Sequence, residues 1–276
     1  MIFNSFVLLL IASVFPGVAS AQAVDPAASS IIRIGGSGGS LETMRLMALA
    51  YKKIHPQAAV TIVPSLGSGG GIKALRAGAI DLAVIGRPLK DSELSPDINA
   101  TEYARSPLVF ATAPSMNIQA ITTSELVSLY NGSRTIWPDG RIVRLVLRPE
   151  AESDTDIIKS LSPEMNQAVK TAQAREGMIV ALTDKASADT LVKIPGAIGA
   201  ITLAQLISEN RPLRPLTLNG VIASRQTLQD GTYGYYKTFF IVSSAKSNLL
   251  ARQFIVFLRS ADAREILEKN GQWVAR

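Results

Sequence analysis

Two glycine-rich segments, each directly after a short β-branched run, constrain this chain more than any other feature. Residues 35–40 follow Ile31–Ile34, and residues 65–71 follow Val60–Val63. Apolar residues at helical spacing come after each glycine-rich segment, and a further buried-type strand is predicted over Asp81–Ile85. Repeated strand, loop and helix in this order predict parallel βαβ units, and therefore an α/β fold.

The same junctions have the chemistry of an anion site. Glycine lets the backbone approach a ligand without interference from Cβ, and a helix start presents N–H groups to an anion. Ser40 and Ser68 add hydroxyl groups, and a third strand–loop–helix junction carries Arg148, Ser153 and Thr155. Such junctions lie together at the carboxyl ends of the strands, where α/β proteins bind ligands. One loop alone would also fit a plain tight turn, but three junctions favour anion binding.

Composition removes most catalytic chemistries. The 276 residues include no Cys and one His, so disulfides, thiolate catalysis, cysteine-type zinc sites and multi-histidine metal centres are excluded. Residues 35–39 match G-x-S-x-G, but a nucleophile elbow also needs an acid and then a histidine downstream; the only histidine is His55, at a helix end before a proline, and Glu42 is the only acid between them. The net charge of +6 is spread along the chain, which does not favour a nucleic-acid binder. We therefore expect a non-enzymatic protein with no cofactor or metal.

The first 23 residues read as a secretory signal peptide. An uncharged apolar run, Phe6–Phe15, is broken by Pro16-Gly17 and followed by Ala19-Ser20-Ala21, which predicts cleavage after Ala21 or Ala23. The run is too short to span a bilayer, which needs about 20 apolar residues. A buried N-terminal helix is the alternative. Export predicts a periplasmic protein.

The rest of the chain continues the alternation of strands and helices. Strands are predicted over 108–112, 142–147, 213–218 and 239–242, with a turn into a short strand over 194–201. Helices are predicted over 123–129, from Asp154 to about Leu161, and over 163–176, 184–193, 248–259 and 261–270.

The order of these segments resembles one family, the periplasmic phosphate-binding proteins of phosphate ABC transporters. No single motif is specific, but their order and spacing over residues 31–276 are. The segments that carry the resemblance are Gly36-Ser37-Gly38-Gly39-Ser40-Leu41, Gly67-Ser68-Gly69-Gly70-Gly71-Ile72, the run from Ile80 to Leu89, Leu129-Tyr130-Asn131-Gly132 with Trp137, Arg148 with Ser153-Asp154-Thr155, Gly196-Ala197-Ile198-Gly199, Asp230-Gly231-Thr232-Tyr233 and Gly271-Gln272-Trp273.

The resemblance implies a two-domain, hinged fold of the Venus-flytrap type, with mixed, mostly parallel sheets and two crossovers, near 106–112 and 231–238. Domain I would comprise residues 24–108 and 236–276, and domain II residues 109–235. The implied partners are phosphate or a related oxyanion and an inner-membrane ABC permease, with the protein itself a monomer. The implied oxyanion contacts are Ser40, the Leu41 amide, Ser68, Arg148, Ser153 and Thr155.

Two departures from the family pattern leave the ligand open. Gly86, beside Arg87, stands where the family has an Asp that accepts a phosphate proton, and Asp154 replaces a glycine. In one interpretation Asp154 supplies the missing acceptor, Arg87 balances its charge, and phosphate specificity is kept. In the other, Asp154 pairs with Arg87 or Arg148 and the ligand is a different anion. All three of Gly86, Arg87 and Asp154 are candidate ligand-binding residues.

Two further functions share these features. The same fold could serve as a ligand-binding sensor or adaptor read by a membrane receptor. An exported phosphatase-like enzyme is the third possibility, but the sequence offers neither the metal ligands nor the base that it would need.

Overall fold

A computed structural model describes residues 31–275, so the predicted signal peptide lies outside the described residues. Within this range the chain forms eleven strands and ten α-helices. The strands are β1 (Ile31–Gly36), β2 (Ala59–Ile62), β3 (Leu82–Ile85), β4 (Ile98–Thr112), β5 (Ala120–Ile121), β6 (Arg144–Leu147), β7 (Ile179–Val180), β8 (Ala197–Thr202), β9 (Arg214–Pro215), β10 (Thr217–Leu218) and β11 (Tyr236–Ser244). The helices are α1 (Leu41–Ile54), α2 (Gly67–Arg76), α3 (Thr123–Asn131), α4 (Ser153–Lys159), α5 (Pro163–Ala174), α6 (Asp184–Lys193), α7 (Leu203–Ser208), α8 (Arg225–Gln229), α9 (Leu249–Phe257) and α10 (Ala261–Lys269).

The first sheet is built around the two glycine-rich junctions. Its strand order is β2-β1-β3-β11-β4, with β1 parallel to both β2 and β3 and β11 antiparallel to β3 and β4. All four residues of β3 are buried, as expected for a parallel strand covered on both faces. Met44, Met47 and Tyr51 of α1 pack with Phe254 of α9 in one core cluster. The predicted βαβ start of the chain is confirmed.

One long strand joins this sheet to a second one. β4 has 15 residues; its first part pairs with β11 as far as Pro107, and from Leu108 it pairs with β8. The second sheet continues β8-β6-β7, with β6 parallel to both neighbours and the short β9 also paired to β4. Its core packs against α3 and α5 through residues such as Leu126 and Met165. The mixed α/β fold class is confirmed.

The first part of β4 was missed because its sequence lacks an apolar run. Glu102 and Arg105 interrupt the strand pattern, but the structure pairs them with each other at 2.6 Å. The Arg105 guanidinium also lies over the rings of Tyr236 and Trp273. These contacts compensate the charges of Glu102 and Arg105 within the sheet. The two aromatic rings come from residues far from β4 along the chain.

The second glycine-rich segment is a helix rather than a loop. Helix α2 begins at Gly67, whereas the sequence predicts the helix only from Ile72. Glycine disfavours helix interiors by roughly 1 kcal/mol per residue, but here it allows close packing. A Cβ on Gly71 would lie 3.0 Å from the Gly36 Cα atom, so the absence of a side chain brings α2 against β1.

The single strand predicted over 213–218 is also wrong, because β9 and β10 divide it.

We predict that Gly36→Ala lowers the free energy of unfolding strongly. Gly36 has φ +134°, and a Cβ there would lie 1.9 Å from the Val84 carbonyl oxygen, so both strain and backbone overlap oppose a side chain. The expected loss is about 3 kcal/mol or more. Gly177→Ala is the matched control, because Gly177 has φ +73° with open space around it and should cost only about 1 kcal/mol. Equal losses for both variants in urea denaturation would contradict this account.

Candidate oxyanion-binding site

The first glycine-rich loop packs directly against the second sheet. The loop residues Gly38 and Gly39 follow β1; a Cβ on Gly38 would lie 3.0 Å from the Asp184 Cβ, and one on Gly39 would lie 3.2 Å from the Thr202 Oγ1. The Thr202 hydroxyl, at the end of β8, donates to the Gly39 carbonyl oxygen at 2.9 Å. Glycine at these two positions therefore lets the carboxyl ends of strands from both sheets meet.

Beside this loop, the polar groups of the first sheet bond mainly to one another. The Ser68 Oγ accepts a hydrogen bond from the Gly86 N–H at 3.0 Å. The Ser40 hydroxyl lies 2.8 Å from the hydroxyl of Tyr103, whose pKa is raised by burial. The Leu41 amide donates to the Gly38 carbonyl. These residues form one wall of the site, in which Ser40, Leu41 and Ser68 already have partners inside the chain.

The opposite wall is the junction between β6 and α4. Arg148 follows β6 directly and is buried, as are Ser153, Asp154 and Thr155 in the first turn of α4. The Thr155 hydroxyl donates to the carbonyl oxygens of Pro149, at 2.9 Å, and of Arg148, at 3.3 Å, so it stabilises the junction itself. Ser153 and Asp154 are buried in the same turn, where the Asp154 carboxylate contacts Arg148.

Four buried charges meet between the two walls. The Asp154 carboxylate lies 3.3 Å from the Arg148 Nε and 2.5 Å from the Lys237 Nζ. The Asp184 carboxylate lies 3.8 Å from the Arg148 Nη2 and 3.3 Å from the same Lys237 Nζ. All four side chains are at most 5% exposed. We call these two cations and two anions the charge tetrad; the charges of the four groups balance, and the less buried Glu152 carboxylate lies 3.7 Å from the Arg148 Nη2 beside them.

The neighbouring charges favour the ionised forms of Asp184 and Lys237. Burial by itself would raise the pKa of Asp184, but the charges of Lys237 and Arg148 outweigh it and hold this pKa below its ordinary value. Burial would likewise lower the pKa of Lys237, and the charges of Asp154 and Asp184 outweigh it and raise this pKa. The charges of Asp184 and Lys237 therefore depend on the charged groups beside them.

Two hydrogen-bond donors of this region are buried without a partner. The Arg148 Nη2 has no hydrogen bond, since its nearest carboxylates, on Glu152 and Asp184, are 3.7 and 3.8 Å away. The Ser153 Oγ is buried and also has no hydrogen bond. Leaving a buried donor unpaired costs roughly 1–3 kcal/mol, so the protein carries a cost here that an acceptor-rich ligand would remove.

Arg87 lies apart from the tetrad. Its guanidinium pairs with Glu93 through two hydrogen bonds of 2.7 and 2.8 Å. The structure therefore does not bring Arg87 to Asp154, as one interpretation of the sequence required. Asp154 instead pairs with Arg148, as the other interpretation proposed, and with Lys237.

Sequence reasoning missed three residues of the site: Asp184, Thr202 and Lys237. Asp184 opens α6 after the Thr183 cap, and Thr202 is itself the cap of α7, so both resemble ordinary helix starts. Lys237 offers the one usable signal, a charged residue just before the apolar run of β11. These three residues come close to one another only in the folded protein, where the two sheets meet.

Two negative findings concern the described residues alone. Over residues 31–275, no cluster of His, Asp and Glu side chains has the arrangement needed to hold a metal ion. None of the helices in that range has the length and apolar character needed to cross a membrane.

The fold and the site together define a two-sheet α/β protein with a buried polar network where the two sheets meet. A family model described as the PBP superfamily domain matches residues 20–262. The chain therefore belongs to the PBP superfamily.

Individual relatives fit this assignment. The phosphate-binding protein PstS of Borreliella burgdorferi is 28% identical over 251 residues, covering 87% of this chain and 88% of the relative. A Clostridium perfringens protein assigned as a phosphate ABC transporter substrate-binding protein, solved with bound phosphate, superimposes with a TM-score of 0.75 at 19% identity, covering 89% of this chain and 100% of that one. An ABC-type phosphate transport receptor from Vibrio cholerae gives a TM-score of 0.63 at 19% identity, covering 88% and 100%.

We predict that Asp184→Asn is destabilising at neutral pH and much less so in acid. At pH 7 it leaves Lys237 and Arg148 undercompensated, which costs about 3–5 kcal/mol. The lowered pKa of Asp184 means that its contribution is complete above the ordinary aspartate pKa of about 3.9 and is lost as pH falls through the lower folded value. The difference in free energy of unfolding between the unmodified protein and Asp184→Asn, which we call the gap, should therefore narrow only below about pH 4.

Urea denaturation at several pH values measures this gap. Asp156→Asn is the control, because Asp156 is an exposed carboxylate on the same helix as Asp154, and its profile should follow the unmodified protein. A gap for Asp184→Asn that stays constant from pH 7 to about pH 3 would be inconsistent with the ionised tetrad.

Proposed function

We propose that this protein is an exported, non-enzymatic solute-binding protein that captures an oxyanion, with phosphate favoured, for an ABC transporter. The observation that carries the proposal is the pair of buried, unpartnered donors, Arg148 Nη2 and Ser153 Oγ, at the β6–α4 junction of the second sheet, which Asp184 links to the first glycine-rich loop. A tetrahedral oxyanion supplies acceptors to both. The likeness to PstS over most of both chains supports phosphate as the ligand and transport as the role.

The carboxylates of the tetrad favour a protonated anion. A fully ionised oxyanion such as sulfate brings only acceptors, which Asp154 and Asp184 repel. Monohydrogen phosphate also carries a proton that it can donate to one of these carboxylates. Asp154 is well placed for this role, since it shares Arg148 with the proposed ligand. Phosphate therefore matches a site with two cations and two acceptors better than sulfate does.

Binding would be coupled to the relative position of two domains. We assign residues 24–108 and 236–276 to domain I and residues 109–235 to domain II. The change of partner strand in β4 between Pro107 and Leu108 supports one crossover, and the pairing of Tyr236 with Pro107 at the start of β11 supports the other. The tetrad spans the two parts, because Lys237 lies on β11 and both aspartates lie in domain II. Closure on the ligand is the motion that a permease would read.

The cellular setting follows from the same proposal. The signal-peptide pattern of residues 1–23 supports export to the periplasm, and the single cleft built by one chain supports a monomer that delivers its ligand to an inner-membrane permease.

Calorimetry with phosphate and sulfate tests the proposal. We expect phosphate to bind with micromolar or tighter affinity, about −8 kcal/mol, and sulfate to bind about tenfold or more weakly, because an unmatched buried acceptor costs roughly 1–3 kcal/mol. Mass spectrometry of ligand released from the purified protein identifies the natural anion independently. Equal affinities for the two anions, or no heat with phosphate, would overturn the assignment.

We predict that Arg148→Ala weakens phosphate binding by about tenfold or more, because it removes a charge-assisted hydrogen bond of roughly 1.5–3 kcal/mol. Arg148→Lys should retain part of the affinity, since it keeps the charge and loses the planar fork. Arg144→Ala is the control, because Arg144 is exposed on the same strand. Circular dichroism verifies that each variant is folded, and unchanged affinity in a folded Arg148→Ala would place the site elsewhere.

A further inference from the structure

Lys237 occupies the space above Gly86. A Cβ on Gly86 would lie 2.7 Å from the Lys237 Cδ, 3.1 Å from its Cγ and 3.2 Å from its Cε. Gly86 does not have the positive φ that excludes side chains, and the three atoms nearest to such a Cβ all belong to the lysine stem. Gly86 and Lys237 are therefore complementary: the missing side chain of one makes room for the other.

The Lys237 side chain crosses the first wall of the site at Gly86. The Gly86 N–H is bonded to the Ser68 Oγ, so the stem of Lys237 passes over the backbone next to the α2 junction. Its ammonium then reaches across to Asp154 and Asp184 of the second wall. The side chain is 1% exposed. A lysine held in this way is desolvated and directed into the same space as the proposed anion.

Lys237 and Arg148 lie next to each other because they share both carboxylates. The unpartnered Arg148 Nη2 is 3.8 Å from one Asp184 oxygen, and the Lys237 Nζ is 3.3 Å from the other. An anion that accepts from Arg148 Nη2 therefore comes within reach of the ammonium as well. Without an anion, the two aspartates are the only charges in the tetrad that neutralise these cations.

We infer that Lys237 is a second cationic binding residue of this site, which exchanges an aspartate for the bound oxyanion and is held in place by the absence of a side chain at position 86. The inference rests on the proposed function and adds to it a residue that the sequence did not indicate. Lys237 as a purely structural partner of the aspartates is the competing account.

A pair of variants separates the two accounts. Lys237→Met keeps the length of the side chain and removes its charge, and Asp154→Asn with Asp184→Asn removes both carboxylates that the lysine neutralises. The triple variant is then compared with the Asp154→Asn, Asp184→Asn double variant in phosphate titrations. If Lys237 binds the anion, the triple variant is about tenfold or more weaker, the equivalent of about 1.4 kcal/mol. If Lys237 only neutralises aspartates, the two proteins have the same affinity, and that result overturns the inference.

The control for the charge change is Lys170→Met, since Lys170 is exposed on α5 and should leave the affinity unaltered. Failure of this inference differs from failure of the proposed function. If the unmodified protein binds phosphate and Arg148→Ala weakens it, the proposed function stands whatever Lys237 does. If the unmodified protein binds no phosphate, both are overturned.

A second experiment leaves the lysine in the chain. Gly86→Ala should push the Lys237 stem aside and weaken phosphate binding by about tenfold. In a Lys237→Ala background the same substitution should have no further effect on affinity. The two effects are not additive, because the added methyl group acts by contact with a lysine stem that the second substitution removes. Gly177→Ala is the control for an added methyl group, since it lies in open space. Full phosphate affinity in a folded Gly86→Ala protein, or equal losses in both backgrounds, would show that position 86 does not act through Lys237.

Discussion

The pairing of Arg148 and Lys237 with Asp154 and Asp184 is the interaction on which the rest of the cleft depends. Each of these charges is buried, and removing one partner of a buried ion pair typically costs about 3–5 kcal/mol. The tetrad draws on β6, α4, α6 and β11, so it ties together elements of both sheets. A network of this kind is stable when complete and sensitive to any new charge.

The tetrad forms only because backbones approach closely around it. Gly38 and Gly39 admit Asp184 and Thr202, and Gly86 admits Lys237. In each case a side chain contributed by one part of the chain fills the volume that a glycine leaves in another. These glycines therefore leave room for charged and polar side chains, in addition to forming turns. The contacts that they permit offset the conformational entropy lost when a glycine is ordered.

Most local structure could be predicted from the sequence, and the exceptions share a cause. Helices α1, α5 and α6 begin and end close to the predicted residues because caps, prolines and apolar spacing are local signals. The first part of β4, the start of α2 and the division of the 213–218 strand were not predicted, because sheet pairing and close glycine packing override local preference there. At the site, Arg148, Ser153 and Asp154 lie together at one junction, while Arg87 pairs with Glu93, six residues along the chain, and not with Asp154.

By itself, the sequence determined the α/β order of elements, the glycine-rich junctions and the likeness to phosphate-binding proteins, since all of these rest on neighbouring residues. Only the tertiary structure decided which charges neutralise one another. Lys237 and Asp184 are 53 residues apart, and their contact exists because the start of β11 and the start of α6 meet in the folded chain. Electrostatic energy depends on distance in space and on exclusion of water, and neither quantity can be read from spacing along a chain.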